Sequence, residues 1–535
     1  MHEPRRAKRA RSAIAHHAAA TQTAGDIPGR LASRRTGARL AQKIELFPAI
    51  PTISWRRRKG EVLAKTVRWD PERLASDCDG RLIRQGGRPI AGAFVDSRNA
   101  EPDALFIPLV AARDGHLFIE SAVRSGASAF LCVHGHPRPD LAFCDLYDVS
   151  VVEVENTQIA LDTLAQRSIR VGGGPRVAIT GSNGKTTTRS YVAAVVSCAY
   201  PRILATRGNF NNHIGLPLSL LGAPHEPQAR VLELGMSAPG ENHHLAEILE
   251  PSLSVVTSIA LEHLETMGTL EAIAKAEAEP FAFIPPDGAI VIPDDEPLLE
   301  AEVRSSMAAR VWRFGSSPRA NIRIEALTVG VPTRARIAFE DGEILPIEVQ
   351  GIGRHNIRNA CAALAVGEHL GIDRQAMAQA IANVAPVGDR SRVIALGRHL
   401  LIADSYNANP GSMKAALEVL RDLTESDGRL RMAVLGDMLE LGPREIELHR
   451  ELGVEAANAG VDTLVSLGAL AKESARAFAS VLPQHAAHAC EDVESAVQAV
   501  VSTLRASDRP AVVLFKGSRG VRVERILNGV IAAFD

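Results

Sequence analysis

Residues 176–188 read Arg-Val-Ala-Ile-Thr-Gly-Ser-Asn-Gly-Lys-Thr-Thr-Thr. An apolar strand that runs into a glycine turn and then a helix commits this stretch to an α/β layer, with the turn at the carboxyl end of the strand, where such sheets bind ligands. The residues also set a chemistry. Glycines let the backbone approach phosphate oxygens, and the N–H groups that open a helix point at the anion. Gly181, Ser182, Asn183 and Gly184 supply the cradle, Lys185 a positive charge for the outer phosphates, and Thr186, followed by Thr187, a hydroxyl for the accompanying magnesium. The spacing Gly181-x-x-Gly184-Lys185-Thr186 is two residues shorter than the standard phosphate-loop pattern, which narrows the choice of family.

A chain of 535 residues is too long for one core. Its net charge of −2 excludes nucleic-acid binding by charge alone. The first fifty residues are the exception, with ten Lys or Arg against three acids. Runs such as Arg5-Arg6-Ala-Lys8-Arg9 read as a disordered tail or as sequence added by an upstream start; a polyanion-binding arm is the alternative. No apolar run reaches the roughly 18 residues of a membrane span. The six cysteines stand apart from any metal-binding spacing and read as free thiols in a reducing cytoplasm.

Four regions follow from the pattern: a basic tail (1–60), an N-terminal α/β domain (61–156), a central phosphate-loop domain (157–385) and a doubly wound, Rossmann-like domain (386–535). In the first domain, Ile90–Val95, Ala127–Cys132 and Val149–Glu153 read as strands, and Ile159–Val171 as the helix leading out, stopped at Gly172-Gly-Gly174. The central domain shows the continuous apolar runs of a mainly parallel sheet. The last has four strand candidates: Leu400–Ala403, Met432–Leu435, Thr463–Ser466 and Ala511–Phe515. Polar clusters at 404–407, 436–437 and 516–518 close three of these strands.

Further strings accompany the phosphate loop: Asp96-Ser-Arg98, Asp114-Gly-His116, Gly208-Asn-Phe-Asn-Asn-His-Ile-Gly215, Glu233-Leu-Gly235, His263-Leu-Glu265 and Gly353-Arg-His-Asn-Ile357. Asp404-Ser-Tyr-Asn-Ala-Asn-Pro410, Gly436-Asp-Met-Leu-Glu-Leu-Gly442 and Lys516-Gly-Ser-Arg519 complete the set. From about residue 88 onward the chain resembles the Mur ligases, and within them the branch that joins D-alanyl-D-alanine to UDP-N-acetylmuramoyl-tripeptide. The resemblance implies three α/β domains that bind the UDP-sugar, ATP and the incoming amine. It implies a cytoplasmic, monomeric, ATP- and Mg2+-dependent ligase working through an acyl phosphate in peptidoglycan synthesis.

The resemblance also assigns residues. Lys185, Glu233, His263 and Asn409 are catalytic; Asn356 and Asn359 lie against adenine; Asp404 reaches the ribose. Arg390 contacts ATP, with Arg392 open as an alternative because Asp389 interrupts the usual pattern. Ser97 and Arg98 face the uridine nucleotide, Asn209, Asn211 and Asn212 the tripeptide, and Asn407 and Lys516 the point where acyl phosphate meets dipeptide. Thr186, Glu233 and His263 hold magnesium.

The chain departs from the family where a carbamylated lysine is usual. It reads Ala274-Lys-Ala-Glu-Ala-Glu279, with Glu277 at the modified position. Lys275 is two residues away and faces another side of the helix. Either Glu277 does the carbamate's work as a built-in carboxylate, or the second metal site is weakened. Glu262 before the histidine, Ser258, and Met236-Ser-Ala-Pro239 are further departures around the same region. Two other functions stay open: a related ligase for a different acyl and amine pair, and a non-catalytic nucleotide-binding regulator.

Overall fold

The computed structural model describes residues 68–223, 226–308, 310–425 and 428–534. The basic segment 1–60 and residues 61–67 lie outside the described residues. From residue 68 the chain builds three α/β sheets with mainly parallel strands, preceded by a short ribbon.

The ribbon pairs Arg68–Trp69 antiparallel with Ile90–Ala91. The run expected as one strand, Ile90–Val95, is split at Gly92, whose φ of +72° turns the chain. Its second half, Ala93–Phe94, becomes the edge of the first sheet, followed across it by Leu105–Phe106, Ala129–Val133, Ser150–Val154 and the antiparallel Arg81–Arg84. The exit helix is Thr157–Ser168, earlier than expected at both ends. Asn156 starts it by accepting hydrogen bonds from the Gln158 and Ile159 amides.

Nine strands form the central sheet, in the order Ile344–Val349, Thr333–Ala338, Ile322–Thr328, Arg310–Gly315, Ala289–Pro293, Leu253–Val256, Arg176–Thr180, Ala229–Glu233 and Ile203–Ala205. Eight run in one direction, and Thr333–Ala338 alone runs opposite, pairing antiparallel with both its neighbours. The parallel strands Arg176–Thr180, Ala229–Glu233 and Leu253–Val256 are the apolar runs read from sequence. The four strands between Arg310 and Val349 are not legible that way, because arginines and glutamates on their open face break up the apolar signal. The helices Lys185–Ser197 and Arg354–His369 cover one side of this sheet, packing Val192, Val195, Ile357 and Leu364 against Val177, Ile179 and Val255.

In the third sheet the order is Arg392–Leu396, His399–Asp404, Ala511–Lys516, Leu430–Gly436, Thr463–Leu467 and Ala486–Cys490, with only the first strand antiparallel. The four central strands are those expected. The two edges and the last helix, Glu524–Ala532, are additions. Both edge strands are half exposed and so carry no continuous apolar run. An apolar cluster joins this sheet's helices to the central one: Met236, Leu264, Met267, Ile273 and Ile352 pack with Met413, Leu417, Met438 and Leu441.

The six cysteines are all free, four of them buried. Among the described residues no helix is long and apolar enough to cross a membrane.

The helix Arg354–His369 packs tightly at Gly367, where a β-carbon would crowd the Met377 sulfur and lie 2.7 Å from Val195 Cγ1. Gly367→Val is expected to lower stability by roughly 1–3 kcal/mol through overpacking, measured as a fall in the urea midpoint. An unchanged midpoint would show that the contact relaxes freely.

Candidate active site

Three neighbouring parallel strands of the central sheet, Leu253–Val256, Arg176–Thr180 and Ala229–Glu233, end side by side. Their carboxyl ends deliver the segment 257–263, the phosphate loop and Glu233 to one place. The helix Leu270–Glu277 brings Glu277 to the same place from the flank.

The loop is built around two glycines with no room for side chains. Gly181 has φ +110°, and a β-carbon there would lie 2.7 Å from the Thr257 amide nitrogen; Gly184 has φ +87°, and a β-carbon would meet Asn359 Oδ1 at 2.6 Å. Ser258 holds the loop from outside, accepting the Ser182 amide on its carbonyl at 2.8 Å and the Asn183 amide on its hydroxyl at 3.0 Å. Thr257 Oγ1 donates to the Asn183 carbonyl at 2.6 Å.

Beneath the loop lies a compact charge cluster. Lys185 Nζ donates to the Gly181 carbonyl at 2.5 Å. Burial works against its charge, but Glu262, Glu277 and Glu233 outweigh that and hold the ammonium above the ordinary lysine range. Thr186 Oγ1 donates to Glu233 Oε2 at 3.2 Å, and Thr187 follows in the same helical turn. Burial raises the Glu233 carboxyl, with Arg189 and Lys185 opposing. Glu277 is 1% exposed, and Asn242 Nδ2 donates to its Oε2 at 3.0 Å. Burial pushes Glu277 up to about 7, Lys185 pulls it down and Glu262 adds to the rise. Glu262 is likewise raised by burial, against Lys185. Lys275 is exposed on the same helix, as its place two residues away requires.

His263 caps the helix Leu264–Met267 with φ +48°. Its Nδ1 lies 2.5 Å from Glu440 Oε2, and its Nε2 faces Glu262 Oε2 at 4.0 Å. Glu262 Oε1 is buried with no hydrogen-bond partner, and Glu233 Oε1 faces only the Arg189 guanidinium, 3.4 Å away. The Glu233 carboxylate and the Thr186 hydroxyl bonded to it are oxygen donors of the kind a hard divalent cation takes, so these two residues fit magnesium.

The third sheet faces this cluster. Asn409 Nδ2 donates to Asn183 Oδ1 at 3.0 Å, joining the helix Pro410–Thr424 to the phosphate loop. Asp404 and Lys516 are register partners at neighbouring strand ends and pair at 2.7 Å. Lys516 Nζ also donates to the Asn407 carbonyl at 3.1 Å, and the Ser391 amide donates to Asp404 Oδ1 at 3.1 Å. Arg390 stacks its guanidinium over the Tyr406 ring at 3.7 Å, and its charge acts on Glu233 and Arg189. Arg392 pairs with Asp389 at 2.7 Å. The geometry thus separates the two arginines, with Arg390 turned to the cluster.

The other expected residues lie in three places. Asn359 packs on Gly184, whereas the Asn356 amide is engaged with the Ile352 carbonyl at 2.7 Å and with His355. Asn211 packs on Gly235, and Asn212 caps the following helix through the Gly215 amide at 2.8 Å. A cavity of about 370 Å³ opens there, lined by Asn212, His213, Gly235, Gly240, Glu241 and His244. Asn209 is exposed nearby. Ser97 and Arg98 stay with the first sheet, where Arg98 pairs with Asp96 at 2.7 Å.

The family model of the Mur ligase middle domain matches residues 179–367, and that of the Mur ligase glutamate ligase domain matches residues 389–519. A UDP-N-acetylmuramoyl-tripeptide–D-alanyl-D-alanine ligase of Bacillus subtilis is 34% identical over 83% of this chain and 93% of its own. The chain belongs to the Mur ligase family. The Escherichia coli protein of the same name is 34% identical over 81% of this chain and 92% of its own. Among solved structures, MurF from Acinetobacter baumannii matches with TM-score 0.78 and 26% identity, covering 88% of this chain and all of that one. MurF of Thermotoga maritima, solved in complex with ADP, matches with TM-score 0.72 and 26% identity over 83% of this chain and 98% of its own.

This Mur ligase has site residues that sequence reasoning left out. Arg189, beside Glu233, stands one helical turn after Lys185 and was legible from that spacing. Glu440 and Tyr406 lie within the 436–442 and 404–410 motifs, which gave them no role of their own. Asn242 gave no signal of its own.

The Asp404–Lys516 pair is largely buried, so breaking it leaves an uncompensated charge. Lys516→Met is expected to destabilise by about 3–5 kcal/mol, and Asp404→Asn/Lys516→Met by much less. Urea unfolding of the two variants checks this; equal losses would mean the pair is not coupled.

Proposed function

We propose that this Mur ligase joins D-alanyl-D-alanine to UDP-N-acetylmuramoyl-tripeptide, driven by ATP, in cytoplasmic peptidoglycan precursor synthesis. The reading is carried by one observation: the phosphate loop, with Lys185 among three buried carboxylates, is bonded through Asn183 to Asn409 of the third sheet. ATP at the loop and an amine delivered by the third sheet therefore meet over one short span. The name shared by the relatives supplies the acyl and amine substrates.

The reaction has two displacements. An oxygen of the tripeptide's terminal carboxylate attacks the γ-phosphorus, and ADP leaves. The amine nitrogen of D-alanyl-D-alanine then attacks the acyl carbon, phosphate leaves and the nitrogen loses a proton. A carboxylate is a poor electrophile, so the first step provides the leaving group that the second requires. Gly181 to Gly184 and Thr187 wrap the phosphates with backbone N–H groups, and Lys185 neutralises their charge. Thr186, Glu233, His263 and Glu277 are the residues to hold magnesium, which supplies further neutralisation of the β- and γ-phosphates when bound. Arg390, Asn359, Asn356 and Asp404 position the nucleotide. Asn407, Asn409 and Lys516 line the meeting point of acyl phosphate and amine, with Asn209, Asn211 and Asn212 at the tripeptide and Ser97 and Arg98 at the uridine end. In this reading the first sheet is the UDP-substrate domain (61–156), the central sheet the ATP domain (157–385) and the third the amine-delivering domain (386–535).

Purified full-length protein is expected to release phosphate from ATP only with both UDP-N-acetylmuramoyl-tripeptide and D-alanyl-D-alanine present, and mass spectrometry should show the joined product. Lys185→Ala should abolish turnover with an unchanged circular dichroism spectrum. Phosphate release with no joined product, or a normal rate in that variant, would overturn the reading. Because Glu277 is a built-in carboxylate, depleting bicarbonate should leave the rate unchanged; a bicarbonate-dependent rate would show that a modified lysine acts instead.

Arg390→Ala is expected to lower kcat/KM for ATP by about 10²-fold, as loss of one positioned charge at transferring phosphate does. Arg392→Ala should change it little. Steady-state kinetics in ATP distinguish them, and the reverse order would reassign the ATP contact to Arg392.

A further inference from the structure

We propose that Tyr406 is a positioning residue for ATP, its ring serving as the platform that holds the Arg390 guanidinium in place and free of any carboxylate. The inference rests on the ATP contact given to Arg390 under Proposed function, and it gives a role to a residue that neither the motifs nor the comparisons assign.

The backbone around this pair is fastened on both sides. Asp389 Oδ2 accepts the Ser405 hydroxyl at 3.4 Å, and the Ser391 amide donates to Asp404 Oδ1 at 3.1 Å. Arg390 therefore sits between two ties to the motif that carries Tyr406. That motif is held in turn by Lys516, which bonds Asp404 at 2.7 Å and the Asn407 carbonyl at 3.1 Å. Three residues beyond Tyr406, Asn409 bonds Asn183 of the phosphate loop at 3.0 Å, so one short motif carries both the platform and the link to the loop. Tyr406 is still 37% exposed, and the Arg390 guanidinium carbon lies 3.7 Å from its ring centre. That is well inside the roughly 6 Å of a cation–π contact.

The pairing of the two arginines gives the contact its purpose. A guanidinium carries five N–H donors. Among the described residues the Arg390 guanidinium makes one hydrogen bond, to the Val387 carbonyl at the long distance of 3.4 Å. Arg392 is instead engaged by Asp389 at 2.7 Å. Asp389 thus takes the neighbouring arginine and leaves Arg390 for an incoming anion. A carboxylate beside Arg390 would fix it as well, but would compete with phosphate for the same N–H groups. An aromatic face aligns the guanidinium plane and leaves those groups open. Without the ring, a long side chain must be ordered when the nucleotide binds, which weakens binding.

The test is steady-state kinetics of full-length protein, varying ATP and then D-alanyl-D-alanine. Tyr406→Leu, which removes the π face, should lower kcat/KM for ATP about threefold to tenfold and leave the KM for D-alanyl-D-alanine unchanged. Tyr406→Phe, which keeps the ring, should restore most of the loss. Arg390→Ala/Tyr406→Leu should be no slower than Arg390→Ala, because the ring acts through the guanidinium. Calorimetric titration with the non-hydrolysable analogue AMP-PCP should rank the variants in the same order without turnover, and thermal melting confirms the fold of each. A raised KM for D-alanyl-D-alanine in Tyr406→Leu would mean a distorted motif and overturn the positioning role. Additive losses in the double variant would do the same. A loss in Arg390→Ala with none in Tyr406→Leu would overturn this inference and leave the ATP contact of Arg390 standing. Wild-type behaviour of Arg390→Ala in both measurements would overturn that contact and this inference with it.

Discussion

The Lys185 ammonium, enclosed by Glu233, Glu262 and Glu277, is the interaction on which the site depends. Alone, a lysine in so buried a place would be driven toward the neutral form, and each carboxylate toward the protonated one. Together they hold the lysine charged. The cluster also fixes what can enter. Three carboxylates and the Arg189 guanidinium surround the ammonium, so the positive charge available to an entering polyphosphate is concentrated at Lys185.

That cluster dictates the surrounding architecture. Its members come from four segments, and only a parallel sheet brings the carboxyl ends of neighbouring strands together at one level. The phosphate loop, Glu233 and the 257–263 segment meet for that reason. The third sheet reaches the cluster through Asn409, whose Oδ1 accepts the Ser412 amide at 2.8 Å while its Nδ2 bonds Asn183. One side chain therefore starts a helix and ties that helix to the phosphate loop. Arg390 and Tyr406 approach from the same sheet and place a cation and a ring near Glu233 and Lys185.

What could be read from the sequence follows the range of the physics involved. The phosphate loop is local: glycine spacing, one lysine and one threonine specify it without reference to the rest of the chain. Buried parallel strands are nearly as local, since both faces are apolar. The strands from Arg310 to Val349 were hidden because one face is charged, and the edges Arg392–Leu396 and Ala486–Cys490 because exposure removes the apolar run. Asn356 shows another limit. Its motif points to adenine, while its amide bonds the Ile352 carbonyl, a partner that only the folded turn supplies. Long-range partnerships such as His263 with Glu440 lie beyond any local pattern, because the two residues come from different sheets.

In the function proposed above Glu277 stands where a modified lysine is usual, and such an exchange alters more than one side chain. A carbamate forms only when carbon dioxide has reacted with a neutral amine, so a site built on it exists in loaded and unloaded forms. A glutamate is always present, but it is shorter and must keep its charge in a place that burial disfavours. Asn242 meets part of that need by donating to Glu277 Oε2. The remainder falls to Lys185, whose charge pulls the Glu277 carboxyl down. Glu262 works the other way, adding to the rise of the Glu277 carboxyl. In the function proposed above, the ammonium that restrains the glutamates is also the one that meets the phosphates.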